Sequence, residues 1–193
     1  KTCGARDSGG SDLDSAWPEQ FVEATSLADS ERSDNRMLVH REMALRLRAR
    51  GWTSCAAVMQ AADVDVIRVT NGRDNCRVDL TGDAPAAKPR MGYLKRHHEK
   101  RRRASGPAGW NEAQAVGLCG RSGVPTMRII ATGYQQQSDG VDSFSLTDAI
   151  QGESGFHTAV KWHAAGQFDD ADIVATRRRM IDAVAELVRR MHF

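Results

Sequence analysis

A change of hydrophobic period restricts this chain more than any other feature. Before about Thr147 apolar residues recur mostly at alternate positions, and beyond Gly152 they recur every third or fourth. A period of two puts side chains on opposite faces of a strand; a period near 3.6 gathers them on one stripe of a helix. "VDVIRVT" (Val64 to Thr70) is β-branched and alternating, "NGRDN" carries turn chemistry and "CRVDL" (Cys76 to Leu80) alternates again, which predicts a β-hairpin. After a loop rich in Pro, Gly and Ala, "MGYLKRH" supplies a third short strand. "GPAGWNEAQAVGLCGRSG" reads as a helix, with Pro107 near its start and glycines at its end. "VPTMRIIATGY" and "VDSFSLT" are two more strands joined through "QQQSDG", where Asp139-Gly140 marks the turn.

The remainder changes character. "DIVATRRRMIDAVAELVRRMHF" places Ile173, Val174, Ile181, Val184, Leu187, Val188 and Met191 at helical spacing with arginines outward. The expectation is an α+β chain. A lobe of five antiparallel strands and one helix spans residues 64–150, and the first helices of a helical lobe span 151–193. Residues 1–63 form an N-terminal extension. Up to about Asp34 it is rich in Gly, Ser and Asp and reads as partly loose. A helix capped by Ser33 or Asp34 then runs through Met37, Leu38, Arg41, Leu45 and Arg48 to Gly51.

Composition excludes several classes. The 27 basic and 25 acidic residues leave a net charge of +2, so no global field draws the chain to nucleic acid or an acidic membrane. Cys3, Cys55, Cys76 and Cys119 are far apart and lack zinc-ligand spacing, a pattern that suits a reducing compartment. No apolar run reaches the roughly 18–20 residues that span a bilayer. These features predict a soluble, cytoplasmic protein.

Only five of the basic residues are lysines, so Lys95 inside an apolar strand carries information. Tyr93 and Lys95 share one face of that strand, and Leu94 and Arg96 share the other. An ammonium on a flexible stem suits phosphate oxygens as a point charge. It needs an opposite charge to hold its rotamer, and Glu112, 17 residues on and early in the next helix, is the partner. Ala113, Val116, Gly117 and Gly120 are small enough to let that helix lie against a sheet.

The strings "GYLKRH", "GWNEAQAVGLCGRSGVPT", "DSFSLTDAIQG" and "LVRRMHF" together resemble the lipopolysaccharide kinase (Kdo/WaaP) family of bacteria. The resemblance covers about Val64 to Phe193. It implies a protein-kinase-like fold and an ATP-dependent phosphotransferase, using Mg²⁺ and acting on a sugar hydroxyl of the lipopolysaccharide inner core. Carried over by position, Lys95 resembles the lysine that contacts the α- and β-phosphates, and Glu112 the helix glutamate that orients it. Thr147, Asp148, Ala149 and Ile150 resemble the hinge whose backbone meets adenine, with Asp148 beside the nucleotide.

The sequence departs from that pattern in three ways. The hairpin turn holds one glycine, Gly72, so no G-x-G-x-x-G loop is present, and "NGRDN" either covers phosphates with backbone N–H groups or is only a turn. No H-x-D-x-x-x-x-N and no D-F-G string occurs in the 193 residues, and the chain stops where the catalytic loop should begin. It is expected to be truncated and inactive. Residues 1–63 lie outside the resemblance.

The main alternative is a non-catalytic kinase-like binding module, or pseudokinase fragment. "KRHHEKRRR" (Lys95 to Arg103) lacks interleaved aromatics and reads as a solvated loop rather than a nucleic-acid patch. Its Arg96 to Arg103 portion could meet anionic headgroups at the inner membrane or an acidic sugar substrate. His97 and His98 read as exposed loop residues, with no third ligand for a metal.

Overall fold

The computed structural model describes residues 20–24, 35–82, 89–100, 106–150 and 155–192. Its strands are β1 (Phe21–Glu23), β2 (Asn35–His40), β3 (Asp65–Thr70), β4 (Arg73–Asp79), β5 (Met91–Glu99), β6 (Ile129–Gln137) and β7 (Gly140–Asp148). The helices are α1 (Arg41–Ala49), α2 (Cys55–Gln60), α3 (Ala108–Arg121), α4 (Gly155–Ala164) and α5 (Ala171–His192). The strands form one sheet in the order β1-β2-β6-β7-β5-β4-β3, with every neighbouring pair antiparallel.

The sheet therefore has seven strands, not five. The additional pair, β1 and β2, precedes residue 64 and extends the sheet beyond β6. The expected helix through Met37 and Leu38 is a strand up to His40, and α1 begins only at Arg41. Met37, Leu38 and Val39 are all at most 5% exposed, the continuous burial of a strand covered on both faces. Ser33 and Asp34 lie outside the described residues.

The β3–β4 hairpin, β5, α3 and the β6–β7 hairpin form as their periodicity predicts. The hairpin turn is tight: Thr70 pairs with Arg73, so only Asn71 and Gly72 lie between the strands, and the rest of "NGRDN" is β4 ladder. Gly72 has φ 74°, and a Cβ there would lie 2.9 Å from the His98 carbonyl oxygen. Both constraints select glycine. β5 runs on to Glu99, so His97 and His98 belong to a strand rather than a loop; residues 101–105 are outside the described set.

The register sorts the two faces. Cys76, Leu94 and Leu146 stand side by side across β4, β5 and β7 and join the core that α1 and α2 complete with Met43, Leu47, Trp52, Cys55 and Val58. The opposite face carries Asn75, Lys95 and Ser145, and α3 packs there. α3 comes close because Gly109 sits on the strand: a Cβ at that position would lie 2.6–2.8 Å from the Phe144 backbone. Beyond the sheet, α4 and α5 follow in sequence, and Arg190 Nη1 of α5 donates to the Gly123 carbonyl at 3.1 Å. Several apolar residues of α5, including Ile181, Val184 and Met191, are exposed. Among the described residues no helix is long and apolar enough to cross a membrane.

Gly109→Val should force α3 off β7 and destabilise the lobe by about 1–3 kcal/mol, the usual cost of overpacking. Chemical denaturation monitored by tryptophan fluorescence would measure it; unchanged stability would mean that the close approach is not needed.

Candidate functional site

Three transverse rows cross the α3 side of the sheet. The middle row runs Asn75, Lys95, Ser145 and Thr132 across β4, β5, β7 and β6. The row toward the β3–β4 turn runs Arg73, His97, Ser143 and Tyr134, and the row toward the end of β7 runs Arg77, Tyr93, Thr147 and Ile129. α3 covers the β6 and β7 end of the rows. Ser143 Oγ accepts from Gly109 N at 3.0 Å, and Trp110 meets Tyr134 edge-on with centroids 5.2 Å apart.

One turn beyond Gly109 on the same helix face stands Glu112. Its Oε1 takes the Lys95 ammonium in a direct ion pair. The other oxygen, Oε2, accepts from Ser145 Oγ at 3.2 Å and lies 3.6 Å from His97 Nε2, longer than a formed hydrogen bond. Burial pushes this carboxyl up, but His97, the hydrogen bond and charge of Lys95, and Ser145 together outweigh it and hold Glu112 down to about 2. The Lys95 and Glu112 side chains remain 32% and 27% exposed, so a ligand can reach the pair.

The four hinge residues are positioned differently. Thr147 is buried, with Oγ1 3.5 Å from the Tyr93 carbonyl oxygen. Asp148 is gripped by Arg90 through two parallel bonds, Nε to Oδ1 at 2.7 Å and Nη2 to Oδ2 at 2.6 Å, with Arg128 Nε 3.9 Å away. Its carboxylate is thereby committed to arginine. The Ala149 N–H donates to Met91 O at 2.9 Å, and Ile150 is 70% exposed. The structure thus brings Lys95 and Glu112 together and places the hinge residues from one row away, at Thr147, to the Gly92–Asp148 end of the β5–β7 pairing and beyond it.

Sequence reasoning missed Ser145, His97 and Arg90 as partners in this region. Alternation along "KRH" does put His97 on the face of Lys95, a signal that the loop reading concealed. No local pattern announces Ser145 or Arg90, because their contacts span 33 and 58 residues.

A cavity of about 920 Å³ lies elsewhere, between the start of α1 and the end of α3, and none of the six candidate residues lines it. A smaller polar one of about 450 Å³ sits beneath the β3–β4 turn. Among the described residues no group of three His, Cys, Asp or Glu side chains could hold a metal ion. These residues do not by themselves fit Mg²⁺.

Fold and pair define a class: an antiparallel sheet lobe whose helix presents a glutamate to a strand lysine on a face open to ligand. The lipopolysaccharide kinase (Kdo/WaaP) family model matches residues 58–193, and the chain belongs to that family. Among solved structures it is similar to WaaP in complex with acyl carrier protein, at 23% identity and TM-score 0.49, over 72% of this chain and 49% of that one. It spans about half the length of that relative. No curated protein matches the chain.

Glu112 ordinarily ionises near 4.5 and in the fold near 2. With its folded value depressed, its stabilising contribution is fully present above the ordinary value and is lost as pH falls through the folded one. An NMR titration of the Glu112 carboxyl carbon should give a midpoint near 2, moving upward in Lys95→Met. A midpoint at the ordinary glutamate value in the unsubstituted protein would show that the pair does not form in solution.

Proposed function

We propose that this chain supplies the nucleotide-holding lobe of an ATP-dependent phosphotransferase that acts on a sugar hydroxyl of the lipopolysaccharide inner core. The observation that carries this reading is the Lys95–Glu112 pair, set beside an uncovered strip of β4 and β5 and reachable from solvent. Family membership supports a lipopolysaccharide kinase in general. The acceptor sugar is a finer step, taken from the family.

In this reading the triphosphate lies along β5, with Lys95 neutralising phosphate oxygens. Glu112 fixes the ammonium, and Ser145 and His97 fix Glu112 in turn. A carboxylate with two oxygens occupied by different partners has little freedom to rotate, so the lysine is held in place before the nucleotide arrives. Preorganised charge of this kind stabilises a transferring phosphoryl group without reorganisation at the moment of reaction. Adenine would meet the sheet at Thr147 to Ile150. Since the Ala149 N–H already serves Met91, a backbone donor for the base would come from Ile150 or beyond. Mg²⁺, when bound, would neutralise the phosphates. No residue of this chain is assigned to the metal or to the carboxylate that accepts the sugar proton. With ATP as donor the lobe would work on the cytoplasmic side; Arg96 is buried against the Ala61 carbonyl and is not part of any membrane-facing patch, which would begin at Lys100 beyond β5.

Lys95→Met should lower phosphoryl transfer to lipopolysaccharide core acceptor by about 10²–10³, the usual cost of removing one preorganised electrostatic group. Glu112→Gln should lower it less. Transfer of labelled phosphate from ATP, in the enzyme carrying this lobe, measures both, with circular dichroism as the check on folding. Near-parental transfer in a folded Lys95→Met protein would overturn the assignment.

A further inference from the structure

His40 is buried at the end of β2, immediately before α1, and both nitrogens of its ring have partners. Nε2 lies 3.2 Å from Gln20 Oε1, and Nδ1 lies 3.2 Å from Arg128 Nη2. A guanidinium only donates, so Nδ1 is the accepting nitrogen and Nε2 carries the hydrogen given to Gln20. These partners fit one tautomer of the neutral ring. The imidazolium carries a hydrogen on each nitrogen, and the one on Nδ1 would face a cation. Phe21, the cross-strand partner of His40, meets the ring edge-on with centroids 5.5 Å apart. The Arg41 N–H donates to the Gln20 carbonyl at 2.7 Å, which keeps Gln20 beside the ring.

Arg128 leads from this ring to the hinge. The same Nη2 donates to Glu42 Oε2 at 2.5 Å, and Nε lies 3.9 Å from Asp148 Oδ2, the oxygen that Arg90 Nη2 holds at 2.6 Å. The Asp148 N–H donates to the Arg128 carbonyl at 2.9 Å. The charged groups around His40 are thus Arg128 before β6, Glu42 on α1, Arg90 before β5 and Asp148 at the end of β7. Arg41 and Arg121 line the same cavity of about 920 Å³ as His40. Burial first, and the Arg128 charge second, hold His40 below its ordinary 6.5. The fold therefore favours the neutral ring. That contribution to stability is complete above 6.5 and is lost as pH falls from that value toward the folded one.

We propose that His40 is a positioning residue for the hinge: a proton on Nδ1 drives off the Arg128 guanidinium, which moves onto Asp148 and loosens the grip of Arg90 on that carboxylate. The displacement is short, because Arg128 Nε already lies 3.9 Å from Asp148 Oδ2. Loosening that grip frees the end of β7 from the residue before β5. The effect on nucleotide rests on the reading above, in which adenine meets Thr147 to Ile150. The coupling of His40 to Asp148 does not. Histidine changes charge between about pH 5 and 8, so the expected consequence is weaker nucleotide binding in acid.

NMR of the unsubstituted chain tests the coupling without a ligand. The His40 ring should titrate below 6.5, and the Asp148 N–H and Arg90 Nε–H signals should shift with the same midpoint. In Arg128→Met the midpoint should rise toward 6.5. His40→Asn supplies an amide oxygen to accept from Arg128 but takes no proton, and should abolish the shifts at Asp148 and Arg90. The ratio of parent to His40→Asn affinity for ATP, in which protonation of ATP itself cancels, should fall about fivefold or more between about pH 8 and about pH 5.5, the lower range of coupling between two sites. A His40 midpoint at or above 6.5, or Asp148 and Arg90 signals indifferent to it, would overturn the coupling and leave the nucleotide reading standing. A constant ratio, with ATP bound at both pH values, would overturn the positioning role. Signals at Asp148 and Arg90 that follow His40 in a chain that binds no ATP would support the coupling and sink the nucleotide reading. Should neither variant fold, the titration of the parent still decides.

Discussion

The ion pair between Lys95 and Glu112 is the contact on which the rest of the lobe depends. It joins a strand deep within the sheet to the helix that covers it, and a salt bridge of this reach fixes relative position more than it adds stability. The pair forms where α3 lies close against the sheet, an approach that Gly109 permits by having no side chain to set against Phe144. Ser145 and His97 then keep the glutamate turned toward the lysine. The chain of cause therefore runs from one glycine, through helix height, to the placement of a single positive charge.

Much of this was legible in the residues, for a specific reason. Alternation put Lys95 on a definite strand face, and the following amphipathic segment opened with one acid, so each member of the pair was marked by its own local pattern. The hairpin, β5, α3 and the β6–β7 pair were likewise readable from period and turn chemistry. β1 and β2 were not. Met37-Leu38-Val39 is a short continuous apolar run, which periodicity cannot assign, and the arginine-rich helix immediately after it extends a helical spacing back over the strand. Ser145 and Arg90 were invisible because strand register across distant segments determines their neighbours.

The seven-stranded sheet also differs in how its two faces are used. One face is sealed by α1 and α2 over Cys76, Leu94 and Leu146, all essentially inaccessible. The other is polar and only half covered, by α3. Hydrophobic burial is thus concentrated on the side away from the candidate site, which leaves the site side free to carry Arg73, Lys95 and His97 without weakening the core.

The grip of Arg90 on Asp148 ties the last residue of β7 to the residue immediately before β5. Five residues after Arg90 on that same strand comes the ammonium of Lys95, roughly 17 Å along an extended backbone. The end of β7, where the chain leaves the sheet, and the start of β5, which carries that charge, are thus clasped to each other by side chains as well as by the ladder between them.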